Sequence, residues 1–494
     1  MKILRTIILT LSVVSCLTSC DEWLSASSNM EIPSDKLFAT KGGFYDALSG
    51  VYISMGEDYA YGKYYTWYAN DLVVYPFVTI SDNALKSWQE HIYTHKTVKS
   101  EIASMWLKGY NIIANINHIL DQLESHRNVI TSDIEYRLIK GELLGLRAYI
   151  HFDLLRMFGL ADWTGANASK LTIPYLTVYE KEPVQQKSYE ETGALLMNDI
   201  SDALELLKDV DPVTGVEHAD FATTINNTGF WNKRTTHLNY YAVKALEARV
   251  HQWNNDTENA ARCAQEVLNE VFEKAVVGWV NPEALLQTSS NDSKDWTFSC
   301  EHLFTLQVSE LYNKVFQILL GNGLTTDSFY LYENFVSTVL FPIMKDGLVS
   351  GAEDVRGSAF HLKYSGAGYL CYKLYGSTTQ NYAFRNRMPM VKISELYYMI
   401  AENHIAAGDG EAALAVMNTV RAYRGIKDDL PTTTDPEEEL MKEYYREFIS
   451  EGQLLYWIKH KGASSLSSEF AFEPSQLIYP YPDDEINYGR IQEL

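Results

Sequence analysis

Residues 59–77 combine aromatic side chains with amide and carboxylate groups in a pattern that suits sugar binding. The segment reads YAYGKYYTWYANDLVVYPF and holds Trp67, Asn70 and Asp71 among six tyrosines. The apolar C–H face of a sugar ring stacks on an aromatic plane, while amide and carboxylate oxygens hydrogen-bond the ring hydroxyls. The pattern therefore predicts a glycan-binding platform, with Trp67, Asn70, Asp71 and the nearby Trp88 as candidate contacts.

A second aromatic region, residues 278–388, is rich in Tyr, Trp, Gly, Asn and Ser. Trp296, Tyr312 and Tyr330 are the candidate glycan contacts in this region. Loops held by a rigid scaffold are where binding usually occurs. In both regions the alternative interpretation is that the aromatic side chains pack against neighbouring helices.

Groups that could support catalysis or bind a metal are few. The sequence lacks a His-Glu-x-x-His motif, a Gly-x-Ser-x-Gly motif, a phosphate-binding glycine loop and a Cys-x-x-Cys pair. His91 and His95 are spaced for one helix face, and Asp209 and Asp211 begin a poor match to a calcium loop. We predict no catalytic residue and no cofactor and assign no metal ligand, while the sequence leaves open whether a structural metal is bound. Two carboxylates that meet in space would suffice for glycoside hydrolysis, so a surface hydrolase remains an alternative.

Cys20 stands where an apolar run gives way to acidic chain, in CLTSCDEWLS at residues 16–25. Lys2 and Arg5 precede an apolar stretch that is too short to span a bilayer. The order of charge, apolar run and cysteine resembles a bacterial lipobox, which predicts cleavage after residue 19 and acylation of Cys20. Several acyl chains give stable membrane anchoring. The alternative is an ordinary cysteine beside a conventional cleavage site.

The composition excludes some partners. Lysine and arginine total 41 against 64 acidic residues, for a net charge of −23. Such a charge argues against nucleic acid and anionic lipid as partners. Beyond the signal peptide and Cys20, the cysteines are Cys263, Cys300 and Cys371. These three do not form a disulfide framework, although the sequence leaves a single pair open.

Long helices must position these loops. Residues 101–124 carry apolar side chains at helical spacing, and a second helix is predicted from Asp133 to a stop at Gly159. Further helices are predicted at 189–208, 237–253, 257–275, 392–407, 410–424 and 437–460. The segments 55–98 and 278–388 do not have a helical pattern, and short strands are expected there.

Two segments look like copies of one unit. The stretches that begin at His237 and Ser394 each read as a helix, a short polar turn and a second helix, with alanines where two helices would approach. This pattern is tetratricopeptide-like, although no period is sustained over adjacent copies. We predict a mainly α fold in which such helix pairs form a scaffold with a large irregular loop region and a few short strands. After a signal peptide at 1–19, residues 20–494 form one domain, with the scaffold mainly at 101–275 and 390–460.

Several motifs together resemble the SusD/RagB family of the Bacteroidetes over nearly the whole chain. They are LRAYIHFDLLRMFG at 146–159, RMPMVKISELYYMIAEN at 387–403, MNTVRAYRG at 417–425, EYYREFISEGQLLYWIKHKG at 443–462 and YPYPDDEIN at 479–487. Lys392 stands where the family commonly has Arg. Charged residues within these helical motifs usually pair internally. Arg387, Glu395, Glu402 and Arg421 are therefore expected to hold the fold together.

The resemblance implies a non-enzymatic, lipid-anchored outer-membrane protein that faces the cell exterior. It would capture glycan with its loop side and deliver it to a SusC-type TonB-dependent transporter that meets its helical side. Asp21 and Glu22 resemble the surface-export signal of such lipoproteins. The same architecture binding peptides or protein fragments is the main alternative.

Overall fold

The computed structural model describes residues 34–79, 84–161, 163–180, 182–219, 221–287, 294–320, 329–342, 352–357, 360–366, 368–375, 384–467 and 470–488. The predicted signal peptide and Cys20 lie outside these described residues.

The described chain is mainly helical, as the sequence predicts. The helices are α1 (Ser34–Leu37), α2 (Lys41–Met55), α3 (Ala69–Leu72), α4 (Ala84–Gln89), α5 (Lys96–Ser125), α6 (Asp133–Phe158), α7 (Tyr189–Leu207), α8 (Tyr240–Trp253), α9 (Thr257–Glu273), α10 (Pro282–Gln287), α11 (Leu311–Val315), α12 (Ile393–Ala406), α13 (Gly410–Ala422), α14 (Pro436–Glu447), α15 (Gln453–Lys461) and α16 (Asp483–Asn487). Helix α5 packs on α6, α6 on α7, α7 on α8 and α8 on α9. Helix α9 also packs on α12, α12 packs on α13, and α13 packs on α14. These successive helix pairs form the scaffold.

Side-chain caps fix where the scaffold helices begin. Ser132 accepts a hydrogen bond from the backbone N–H of Glu135 at the start of α6, and Ser188 and Glu191 form a reciprocal capping box at the start of α7. Such caps satisfy N–H groups that the helix itself leaves unpaired. Gly159 follows the last residue of α6, as predicted.

The predicted helix at 437–460 is wrong in one respect, because the structure divides it into α14 and α15. Gly452 has a φ of +75°, and a Cβ built there would lie 2.7 Å from the backbone of Thr66. The backbone N–H groups of Ser450 and Gly452 donate to the carboxylate of Asp71 at 2.6 and 3.0 Å. A long-range contact thus replaces the helical hydrogen bonds that local sequence favours.

The described chain also contains short antiparallel strands. They are β1 (Phe77–Thr79), β2 (His302–Gln307), β3 (Phe329–Leu331), β4 (Leu362–Tyr364), β5 (Tyr369–Cys371) and β6 (Arg387–Lys392). One sheet has the order β1-β3-β5-β4, and β2 pairs with β6 in another. The expectation that 55–98 and 278–388 are not helical is wrong in part. Helices α3 and α4 and a π-helical turn at Asp58–Gly62 lie within the first segment, and α10 and α11 lie within the second.

Buried ion pairs tie the C-terminal helices to the sheets. Arg424 joins Glu301 and Glu447 at 2.7 and 2.8 Å, and Lys392 reaches Glu447 at 3.0 Å and Glu451 at 2.8 Å. Burial opposes ionisation of Glu447, but Arg424 and Lys392 hold the pKa of this carboxyl well below its ordinary range. Lys392 therefore supplies the buried cation at the position where the family commonly has Arg.

Most of the expected fold-holding set is confirmed. Glu395 pairs with Arg249, Glu402 contacts His460 at 2.9 Å, and Arg421 lies 3.6 Å from Glu439, in each case with buried side chains. Arg387 differs because its side chain is only half-buried, although it donates to the Ser299 hydroxyl at 2.5 Å.

None of the helices in the described ranges combines the length and apolar character that a membrane crossing requires.

Candidate functional site

Trp67 and Trp88 lie in the core. Both are at most 1% exposed, and each indole N–H has an internal acceptor. Trp67 donates to the carbonyl of Gly62 at 3.0 Å, and Trp88 donates to the carboxylate of Glu101 at 2.6 Å. In this structure the two indoles are internal contacts, and their faces are not presented to solvent.

Asn70 and Asp71 are also buried, and they join the N-terminal aromatic segment to the C-terminal part of the chain. The amide of Asn70 donates to the hydroxyl of Tyr456 at 3.0 Å and accepts from Tyr479 at 2.9 Å. Asp71 accepts the two N–H groups at the α14–α15 break. Burial raises the pKa of Asp71 well above its ordinary value, although the two N–H donors favour the charged form. Polar groups with so many internal partners have a structural role here.

The three candidates from the second aromatic region are placed differently from one another. Trp296 is buried and stacks on Phe360 with ring centroids 4.1 Å apart, and Tyr330 is a buried residue of β3. Tyr312, on α11, is half-buried, and the guanidinium of Arg385 lies 3.5 Å from its ring centroid. Among the seven candidates, Tyr312 alone keeps substantial exposure. Contact of any of the seven with glycan stays a prediction.

The structure does assemble a partly exposed set of rings around Tyr312. We call Tyr312, Phe316, Tyr372 and Tyr375 the aromatic surface; all four are half-buried. Phe316 and Tyr375 stack with centroids 5.5 Å apart and an interplanar angle of 22°, and Tyr372 meets Tyr375 edge-on at 5.6 Å. Burial, followed by the nearby Tyr372 and Tyr312 hydroxyls, raises the pKa of Tyr375.

Cations border the aromatic surface. The ammonium of Lys363 lies 4.3 Å from the centroid of Tyr372, and Arg385 covers Tyr312. Burial and the neighbouring Lys294 lower the pKa of Lys363. A cation over an aromatic ring is attracted by the negative ring face and also supplies hydrogen-bond donors. The group can therefore stack an apolar ring face and donate to oxygens at its edge.

A cleft of 440 Å³ lies beside α11. Its lining consists of Ile53, Gly56, Glu57, Asp58, Tyr59, Gln307, Ser309 and Lys314. Tyr59 is 40% exposed and stacks on Tyr64 at 5.0 Å, so one ring of the N-terminal aromatic segment does reach the surface. Lys314 pairs with Asp58 at 2.5 Å and links α11 to this segment. The short helix α11 thus contributes residues to both the cleft and the aromatic surface.

Sequence reasoning missed Phe316, Tyr372 and Tyr375 as candidates, although all three lie in the second aromatic region. Phe316 is the helical neighbour of Tyr312 four residues away, and this spacing is the signal that could have identified it. Tyr372 and Tyr375 follow β5 and approach α11 only through tertiary packing. Cys263, Cys300 and Cys371 are free thiols in the described chain, so the single disulfide that the sequence left open is not formed among them.

Two protein-family models match separate ranges of the chain. Residues 22–220 match a family model described as "Starch-binding associating with outer membrane", and residues 348–457 match the model of the SusD family. Together these ranges cover more than half of the 494 residues. No curated protein sequence matches the chain.

Solved structures show the same fold. A SusD superfamily protein from Bacteroides thetaiotaomicron aligns over 92% of this chain and 99% of its own, with 20% identity and a TM-score of 0.72. A SusD superfamily protein from Bacteroides vulgatus aligns over 92% and 98%, with 15% identity and a TM-score of 0.70. A SusD-like carbohydrate binding protein from the same species aligns over 86% and 84%, with 19% identity and a TM-score of 0.62. At these identities the matches establish the fold.

Proposed function

Because the chain belongs to the SusD/RagB family, we propose that it is a non-enzymatic cell-surface lipoprotein that captures glycan and delivers it to a SusC-type TonB-dependent transporter. The observation that carries the glycan part of this proposal is the aromatic surface beside α11. There, half-buried rings and cations meet on loops that the helical scaffold holds in place.

The chemistry of the aromatic surface suits a sugar chain. Stacked Phe316 and Tyr375 offer an apolar face, and the hydroxyls of Tyr312 and Tyr372 can both donate and accept hydrogen bonds. The partial burial of the rings means that little side-chain freedom is lost on binding. Extended glycans present repeated apolar faces and hydroxyl edges, which is the combination that this surface complements.

Glu443 and Glu447, two buried carboxylates of α14, are engaged in internal ion pairs and are not candidates for glycoside hydrolysis. Glu443 and Glu447 are buried with Arg356 between them, at 2.7 and 3.2 Å from its guanidinium. Burial opposes their ionisation, but the surrounding arginines hold the pKa of each carboxyl well below its ordinary range. A general acid in glycoside hydrolysis needs a raised pKa and access to the sugar. These carboxylates have neither property.

The cellular part of the proposal rests on the sequence and the family. Cys20 would carry the lipid, and Asp21 and Glu22 would direct the protein to the outer face of the outer membrane. The helix pairs would then face the transporter while the aromatic surface faces the glycan. Co-purification of the transporter with the lipidated protein from detergent-extracted outer membranes tests this arrangement.

The aromatic surface is tested with lipid-free protein that begins at Asp21, by affinity gels and calorimetry against plant and host polysaccharides and against peptides. We expect one polysaccharide to bind, and Tyr372→Ala or Tyr375→Ala to weaken its affinity roughly 2- to 12-fold, as the loss of an aromatic contact worth about 0.5–1.5 kcal/mol requires. Tyr179→Ala, at a 54% exposed tyrosine beside His118 of α5, is the matched control.

The alternatives give different results in the same experiment. Binding of peptides alone would favour the same architecture with a protein-fragment ligand. Release of reducing ends from a polysaccharide would contradict the non-enzymatic proposal. Equal affinity in Tyr372→Ala, Tyr375→Ala and Tyr179→Ala would remove the aromatic surface as the site.

A further inference from the structure

Three different metal-ligating side chains meet between α8 and α9, on the helical scaffold. Glu247 and His251 lie one turn apart on α8, and Cys263 of α9 faces them from a fully buried position. One ligand atom from each residue lies within 4.8 Å of the other two. Neither the aromatic surface nor the family motifs include these residues.

The spacing is close to what a tetrahedral ion requires. The Sγ atom of Cys263 lies 3.5 Å from Oε2 of Glu247. Zinc bonds of about 2.3 Å to sulfur and about 2.0 Å to oxygen, at a tetrahedral angle, place the two ligand atoms about 3.5 Å apart. The sulfur and the carboxylate oxygen therefore already have the separation of two zinc ligands.

A carboxylate orients the imidazole. Nδ1 of His251 lies 2.9 Å from Oδ2 of Asp256, the residue that caps α9 by accepting the N–H of Asn259. Metal-bound histidines commonly donate their second ring N–H to such a carboxylate, which fixes the tautomer and the ring orientation. With Nδ1 facing Asp256, Nε2 is the nitrogen left for an ion.

We propose that Glu247, His251 and Cys263 form a zinc-binding site with Asp256 as the orienting partner of the histidine. Thiolate, imidazole and carboxylate together suit Zn²⁺, whereas Ca²⁺ and Mg²⁺ prefer all-oxygen ligands. The side chains of Glu247 and His251 are 17% and 21% exposed, so water can complete the coordination. The ion would crosslink α8 and α9 from the solvent side.

Lys244 competes for the same carboxylate. Its ammonium lies 2.8 Å from Oε2 of Glu247 and 3.2 Å from Oε2 of Glu266. Binding of a cation at Glu247 would leave Lys244 with Glu266 as its remaining partner. Replacing the ammonium by a neutral group therefore removes both a competitor and a repulsive charge, and Lys244→Gln is expected to tighten metal binding several-fold.

Cobalt(II) is the spectroscopic probe and zinc the competitor. Titration of the lipid-free protein with Co²⁺ is expected to produce a near-ultraviolet thiolate-to-cobalt charge-transfer band. The band should saturate at one equivalent of Co²⁺ per chain, and added Zn²⁺ should abolish it. Cys263→Ser should lose the band, while Cys300→Ser, which removes an exposed thiol elsewhere, should keep it. Circular dichroism of each variant establishes that it is folded.

Asp256→Asn distinguishes an orienting role from a capping role. Asparagine caps helices about as well as aspartate, so the stability of α9 is retained. Loss of the orienting carboxylate should still weaken zinc binding by roughly 10- to 100-fold. The proposal is overturned if folded wild-type protein takes up no cobalt, if Cys263→Ser keeps the band, or if His251→Ala binds zinc as tightly as wild type.

Discussion

Replacement of Asp71 by alanine tests whether this predicted glycan contact is in fact a tie between distant parts of the chain. The carboxylate is 1% exposed and accepts the N–H groups of Ser450 and Gly452. Alanine leaves both donors buried without their acceptor, at a cost of about 1–3 kcal/mol each. The free energy of unfolding should therefore fall by about 2–6 kcal/mol. Asp71→Asn, which keeps one acceptor oxygen, should lose less.

Urea unfolding followed by tryptophan fluorescence measures this difference. The matched control is Asp58→Ala, because the Asp58 side chain is 51% exposed and pairs with Lys314 at the surface. Exposed pairs contribute about 0–1 kcal/mol, so the control should lose little stability. A loss at Asp71 no larger than at Asp58 would refute the reasoning. Normal stability of Asp71→Ala combined with lost polysaccharide binding would restore Asp71 as a ligand contact.

Two further predictions concern backbone strain and pH. Gly452→Ala should destabilise more than Gly462→Ala in urea, because both have φ near the left-handed region but only the Cβ at 452 meets other backbone; equal losses would contradict this. Burial opposes the charge of Glu142, but His237 and Arg234 outweigh it and lower its pKa from 4.5 to about 2. This stabilisation is present above pH 4.5 and is lost as the pH falls towards 2. Between pH 7 and pH 3 the loss is about 2 kcal/mol. The fall in unfolding free energy over that range should be smaller by this amount in Glu142→Gln, and an unchanged fall would refute the assignment.

The local sequence accounts for most of the scaffold. Apolar spacing and capping residues such as Ser188 and Asp409 are signals within one or two helical turns, so helix bounds could be predicted to within a few residues. The failure at 450–452 has a different origin. The N–H groups there are held by Asp71, about 380 residues away, and nothing in the adjacent sequence records that contact.

The aromatic regions show the corresponding limit for the site. Trp67 and Tyr372 have similar surroundings in the sequence, and an aromatic ring is chemically as suited to a core as to a binding surface. Trp67 is covered by packing, whereas Tyr372 remains half-exposed beside Lys363. Which rings reach the solvent depends on how distant segments pack, and this information is not local.

The sequence by itself determined the family resemblance, the helical scaffold, the acidic charge and the cysteine expected to carry lipid, because each depends on residue type and short spacing. Only the tertiary structure decided that Asn70 and Asp71 are internal ties and that α11 contributes residues to both the cleft and the aromatic surface. It also decided that Cys263 meets Glu247 and His251. Burial and convergence are properties of long-range contacts, which the order of residues along the chain does not reveal.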